Sequence, residues 1–378
     1  MRQLLRIAFI LPLVLGYFSV AEAQLKAPFN RHLTQYYGKP LVGTFACPAL
    51  VAPVVDMGGM NSIYRSDDPT QSIVDPAKQA KEAARNAAFG AFQNALASVS
   101  DKYVTTKPAN ANIANCYARH LIHWAKAGAM LKNLANNVEL GRHQAVMQQA
   151  WNLSAIAQSY MKVQPAMAAA DSAAVRAWIK SLSDSVLKEY TTANSWNTAH
   201  NRSHNHAQWA AMALAGSGVL LNDVNKFNQA WSLLGASLAT VQSNGTLPHE
   251  MSRGAKSLLY HEFACLSLAG LVAFMDANGR VLSPAQESAF QRVIKMTVEQ
   301  AQNPSWIASV VKIAQTSYQP SSSNFAFIDI AIPHFQRTNP ALAAQLEAAG
   351  AKYRAFRHPH LGGNITAVYN VPAFSKMK

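Results

Sequence analysis

The sequence predicts an all-α protein: an incomplete (α/α)n toroid of antiparallel helix hairpins behind an irregular N-terminal arm. Three observations carry this. Half of the 378 residues are hydrophobic and only 14% are charged, so the chain can bury a large core. Beyond about residue 76 apolar residues recur at helical spacing almost without relief, whereas alternating strand patterns are scarce. The periodic stretches are joined by short loops that favour antiparallel neighbours, and no repeat of fixed period is present. Helix pairs closing into a ring are therefore expected over an open solenoid.

Residues 1–23 read as a secretory signal peptide, with basic Arg2 and Arg6, an apolar run from Ile7 to Val20, and Ala21-Glu22-Ala23 as a small-x-small cleavage site. The expected location is the periplasm, with no membrane association once the signal is removed, and residues 24–378 are expected to form one monomeric domain. Within it, 24–76 is rich in Pro and Gly and reads as an arm. Asn61–Pro69 in that arm combines an aromatic, a cation and turn formers, and Tyr64 and Arg65 make it a candidate lid over a cleft. Helices are expected near 77–100, 110–134, 142–163, 171–191, 205–221, 224–243, 255–277, 284–303, 322–335 and 340–353. Gly363–Tyr369 is the best strand pattern.

Removing the signal takes two of the 33 basic and one of the 19 acidic residues and leaves a net charge of +13. An exported protein meets little nucleic acid, and no groove-reading module is present, so an anionic polysaccharide is the expected polyanion. The alternative is that the charge serves solubility. Of three cysteines, Cys47 and Cys116 are the expected disulfide, because the pair would staple the arm to the helical body; Cys265 lies among apolar residues and reads as a buried free thiol.

Polar chemistry concentrates between Trp196 and Tyr260. Asn201 to Gln208 crowds hydrogen-bonding and titratable groups onto the start of an apolar helix, where a structural helix needs one cap. Arg253 and Tyr260 are seven residues apart, which on one helix would put a cation and a phenol on one face. Glycoside hydrolysis needs two opposed carboxylates, and Asp223 and Glu250 are not spaced to face each other. β-Elimination at a uronic acid needs a neutralised carboxylate, a base for the C5 proton and an acid for O4. Asn205, His206, Arg253 and Tyr260 form that set and call for no metal or other cofactor. His200, His204 and His206 have metal-ligand spacing, but no acid or Cys completes that site. Trp124 and Trp209 are candidate sugar platforms beside Tyr64, with core packing as the alternative.

These residues resemble the alginate lyases of polysaccharide lyase family 5. The resemblance rests on Asn205-His206, Trp209, Arg253 and Tyr260, and extends to Ala46-Cys47-Pro48-Ala49, Cys116, His123–Gly128, Leu247-Pro248 and His360–Gly363. It implies an exported (α/α) toroid that cleaves mannuronate-rich alginate, with Asn205, His206, Arg253 and Tyr260 as catalytic residues. Two positions depart from the family: Gln208 stands where an aromatic precedes the tryptophan, and His360 where an Arg precedes Leu-Gly-Gly. Both are candidate substrate contacts. The mechanism also suits glucuronan or hyaluronan, and a non-catalytic polyuronate-binding toroid would need the basic groove without Tyr260.

Overall fold

The computed structural model describes residues 24–29, 41–135, 142–192, 203–315 and 320–369. The signal segment, Trp196, His200, Asn201 and Arg202 lie outside the described residues. The fold is helical almost throughout: α1 (Pro76–Thr105), α2 (Ala111–Lys126), α3 (His143–Val163), α4 (Ala169–Thr191), α5 (Asn205–Leu221), α6 (Val224–Leu238), the turn-length α7 (Pro248–Met251), α8 (Ser257–Ala277), α9 (Pro284–Gln302), α10 (Ser305–Val311), α11 (Phe327–Thr338) and α12 (Pro340–Gly350). Their starts follow from local chemistry. Asp75 accepts from Ala77 N and Lys78 N with Pro76 at the first helical position, Asn110 caps α2, and Ser283 with Gln286 forms a capping box on α9.

Helices α3, α5 and α8 are buried on nearly all sides and form the inner layer. Helix α5 packs against α3, α4, α6 and α8, and α1 and α2 close one side. Gly216 allows the close approach of α5 to α3: a Cβ there would lie 2.7 Å from Ala157 Cβ. By length and composition Gly254–Ala277 could cross a bilayer, yet 78% of its most apolar window is buried inside the protein. Its apolarity is that of a core helix.

Two sequence expectations are corrected at element ends. The helix expected over 110–134 stops at Lys126, because the arm recruits the backbone beyond it: Met130 N donates to Val54 O at 2.8 Å, and Met57 N to Lys132 O at 3.0 Å. Only Gly363–Asn364 of the expected strand pairs, as β2, with β1 (Arg357–His358). Asn364 Oδ1 then accepts from Ala367 N, and Ile365–Tyr369 turns helical as α13. This hairpin is clamped from within. Fully buried Lys162 donates to Asp101 at 2.7 Å and to Gly362 O at 2.6 Å, while Asp101 also accepts from Arg357 at 2.9 Å and Asn364 N at 2.8 Å.

The arm lies across α1 and α2. The Cys47–Cys116 disulfide joins it to α2 with a Cα–Cα distance of 5.6 Å, and Trp124 Nε1 donates to Val51 O at 2.9 Å. Asp68 organises its tip by accepting from Thr70 N, Ser72 N and Ile73 N, which with Thr70 Oγ1 outweighs burial and holds its carboxyl well below the usual range. Cys265 is buried and free; burial pushes its thiol up to about 12, which leaves it unreactive.

Candidate active site

A cavity of about 320 Å³ opens where the arm meets α1, α3, the start of α5, the 248–260 segment and the C-terminal hairpin; Tyr64, Gln93, Trp151, His206, Arg253, Tyr260 and His360 are in its wall. A smaller pocket of about 170 Å³ adjoins it, shares Gln71, His206 and Arg253 with it, and is lined by Thr70, Asn205, His249 and Glu250 among others.

Each polar side chain is placed by a local cause. His204 caps α5 by accepting from His206 N at 3.2 Å, which spends that nitrogen and starts the helix with Asn205 and His206 exposed to the site. His261 ties the 247–251 turn to α8: Leu247 N donates to its Nε2 at 2.9 Å, and its Nδ1 donates to Ser257 O at 2.8 Å. Arg253 and Tyr260 do not share a helix. Gly254, at φ +52°, interrupts the chain between α7 and α8, so Arg253 precedes a short 3-10 turn. The two side chains meet nonetheless. The Arg253 guanidinium lies 3.7 Å from the Tyr260 ring centroid and donates to the arm carbonyls of Thr70 at 2.9 Å and Gln71 at 2.5 Å. Tyr64 comes in from the arm with its hydroxyl 2.6 Å from that of Tyr260, and Lys256 Nζ donates to Tyr64 Oη at 3.4 Å.

Burial dominates the electrostatics. It pushes the Tyr260 phenol above its ordinary value, against the pull of the Arg253 cation. It drives His206 well below the usual imidazole value, and neighbouring His204, His143 and Arg253 add to this, so His206 is neutral. Glu250 is raised to about 7 by burial, although Asn205 N (3.1 Å) and Asn205 Nδ2 (2.9 Å) both donate to it. Asp223, the other carboxylate of the region, is bound to Lys226 at the start of α6.

His360 is the clearest case of a fixed proton. Asn152 Nδ2 donates to Gln148 O, so Asn152 Oδ1 accepts from Gln93 Nε2 at 2.9 Å, and Gln93 Oε1 accepts from His360 Nδ1 at 2.8 Å. A backbone carbonyl at one end of this chain thus leaves His360 Nε2 as a lone-pair acceptor. Burial holds this imidazole at about 4, so it is neutral, and it stacks on Trp151 at 5.9 Å.

The structure therefore brings Asn205, His206, Arg253, Tyr260, Tyr64 and His360 to the two adjoining pockets and leaves four expected contacts elsewhere. Trp124 is fully buried and stacked on Phe92 at 3.7 Å. Trp209 is also fully buried, 4.9 Å from Phe263, because α5 turns that face to the core. Gln208 is buried with its Nε2 on Ser203 O, and Arg65 is paired at the surface with Asp67. Sequence reasoning missed Gln93, Asn152, His143 and Glu189, which are buried polar residues of mixed helices; the available signal for Gln93 and Glu189 was a polar residue in register with the apolar positions of its helix. Among the described residues the group with metal-ligand spacing is Cys47, Cys116 and His120, whose two sulfurs are spent in the disulfide.

The chain is 25% identical to a polysaccharide lyase of Stenotrophomonas maltophilia (strain K279a), covering 85% of this chain and 90% of that one. It is 24% identical to an alginate lyase of Pseudomonas syringae pv. syringae (strain B728a), over 86% and 84%. The fold is similar to alginate lyase A1-III from Sphingomonas species A1, with a TM-score of 0.65, 19% identity, and coverage of 93% and 92%. It is also similar to a histidine-to-alanine variant of alginate lyase A1-III complexed with tetrasaccharide, with a TM-score of 0.69, 20% identity, and coverage of 93% and 98%. The model of the alginate lyase family matches residues 60–307, more than half of the sequence, so the chain belongs to the alginate lyase family and is a polysaccharide lyase.

Proposed function

We propose that the protein is an exported lyase that cleaves mannuronate-rich alginate by β-elimination. Tyr260 removes the C5 proton, the C4–O4 bond breaks as the C4–C5 double bond forms, and Tyr260 returns the proton to O4. Asn205 and the N–H groups of Arg253 not committed to the arm neutralise the C6 carboxylate, which makes the C5 proton acidic. His206 completes the polar wall. The observation that carries this reading is the Tyr260 hydroxyl at the cavity wall with the Arg253 cation over its ring. The tetrasaccharide complexes of alginate lyase A1-III, obtained with a histidine-to-alanine and a tyrosine-to-phenylalanine variant, support it by likeness.

Stereochemistry narrows the substrate. Mannuronate carries its C5 proton and O4 on the same side, so one residue serves as base and then acid; guluronate is inverted at C5 and needs opposite faces. Glucuronate differs from mannuronate only at C2, so a hydroxyl contact such as one to His360 Nε2 sets that preference, worth about 1–3 kcal/mol. The test is the ultraviolet absorbance of the conjugated uronate formed from polymannuronate, polyguluronate, alginate, hyaluronan and glucuronan. Polymannuronate is expected to react fastest, and Tyr260→Phe to lose turnover by orders of magnitude while still binding polymer. Faster cleavage of polyguluronate, or a near-normal Tyr260→Phe, rejects the single-tyrosine mechanism; absence of the absorbance rejects a lyase.

A further inference from the structure

Behind the site, on the side away from the cavity, buried His143 and Glu189 continue inward from His206, with half-buried Arg142 beyond them. Its Nδ1 lies 3.1 Å from His143 Nε2, at the start of α3, and the two rings are nearly parallel. His143 Nδ1 faces Glu189 Oε1, on α4, at 3.7 Å, and Glu189 Oε2 accepts from Arg142 Nε at 2.8 Å. His143 is 1% and Glu189 3% exposed. We infer that Glu189 and His143 are positioning residues that hold His206 in its Nδ1–H tautomer, so that His206 presents Nε2 to the site as an acceptor and not as a donor.

Glu189 is ionised: burial works against it, but His143 and Arg142 together hold its carboxyl below the usual range. At 3.7 Å the carboxylate lies beyond hydrogen-bond length of His143 Nδ1, but its charge favours a proton on the nitrogen that faces it and disfavours a lone pair there. Burial lowers the pKa of His143 and keeps it neutral, which leaves its Nε2 as a lone pair. The proton in the 3.1 Å contact then belongs to His206 Nδ1, and a neutral His206 carries none on Nε2. No proton moves; the chain fixes where one sits. An acceptor at Nε2 suits a hydroxyl, that of Tyr260 or of a sugar, and does not suit the substrate carboxylate, which leaves charge neutralisation to Asn205 and Arg253. This inference rests on the reading of His206 as part of the catalytic site.

Glu189→Gln is the informative variant. Arg142 Nε requires an oxygen where Glu189 Oε2 now sits, so the new amide turns its NH₂ toward His143, and every tautomer in the chain inverts without a change of shape. Protein labelled with nitrogen-15 histidine reports which ring nitrogen of His206 is protonated, with assignment by His206→Gln. The expected result is Nδ1–H in the native protein and Nε2–H in Glu189→Gln, with kcat down at least about tenfold and KM within about twofold. A native His206 protonated on Nε2 overturns the inference, and so does a Glu189→Gln enzyme with native kcat. Should that variant not fold, His143→Gln, which keeps an acceptor for His206 and a donor for Glu189, is expected to retain most of the turnover that His143→Leu loses. Equal loss in both overturns it. If the native enzyme releases no unsaturated uronate, the proposed function fails, while the spectrum still decides the tautomer.

Discussion

At the residue scale the proposed chemistry turns on how a tyrosine held above its ordinary pKa would act as a base. Desolvation raises Tyr260, the Arg253 cation opposes it, and the net direction is upward. Only the ionised phenol removes a proton, so below its pKa the active fraction rises with pH. The expected outcome is that kcat/KM on polymannuronate climbs about tenfold per unit from about pH 6 to about pH 9. A flat profile over that range rules out Tyr260 as the base. The motif residues were legible in the sequence because Asn205, His206, Arg253 and Tyr260 are a surplus of polar chemistry beside apolar helices. Their geometry was not. Seven-residue spacing suggested one helical face, whereas Gly254 breaks the helix, and the arm carbonyls of Thr70 and Gln71 bring Arg253 over the phenol. Trp124 and Trp209 show the converse: an aromatic beside a motif says nothing about which way its helix faces, and both fill the core.

At the scale of elements, periodicity located the long helices, and α5 and α8 are apolar on nearly all sides because they belong to the inner layer. Helix ends were less legible where another segment competes for the backbone, as the arm does at 130–132 and Asn364 does in the hairpin. The arm itself is held by the disulfide, which closes a separation of 69 residues and is worth about 4 kcal/mol in the chain-entropy model. Reduction should lower the melting temperature, and unfolded, unreduced protein should titrate a single thiol, that of Cys265. Three thiols would contradict the bond. A second tie joins α11 to α8 and α9: His334 bonds Asp276 at 2.9 Å and Glu287 at 2.8 Å, and although burial works to lower its pKa, the two carboxylates raise it. The folded value lies above the unfolded one. This tie therefore stabilises fully below the unfolded histidine pKa of about 6.5 and weakens as pH rises through the higher folded value. The melting temperature should fall over that window in the native protein and less so in His334→Leu; equal slopes would remove His334 from the account.

At the scale of the whole molecule, many carboxylates are already answered by internal cations: Asp101 by Lys162 and Arg357, Asp184 and Asp223 by Lys226, Asp329 by Arg354. The net charge of +14 is therefore carried by surplus cations; Arg253 stands in the cavity wall, and Lys256 Nζ lies 4.5 Å from the ring of Tyr64, which also lines it. A polyuronate chain brings a carboxylate on every residue, so its approach is steered by the summed field, while the chemical step occurs among buried groups that salt does not reach. The two should separate in an ionic-strength series. Between about 0.02 M and about 0.5 M salt, where the Debye length falls from roughly 20 Å to roughly 4 Å, kcat/KM on long polymannuronate should drop by about tenfold or more, with kcat changed by less than about twofold. Short oligomers, which carry fewer charges, should lose less. If kcat/KM is indifferent to salt, the basic surplus does not serve substrate capture and only its role in solubility remains; if kcat falls in step, the charged groups act in the transition state, and the division between a steering surface and a buried, salt-insensitive site is wrong.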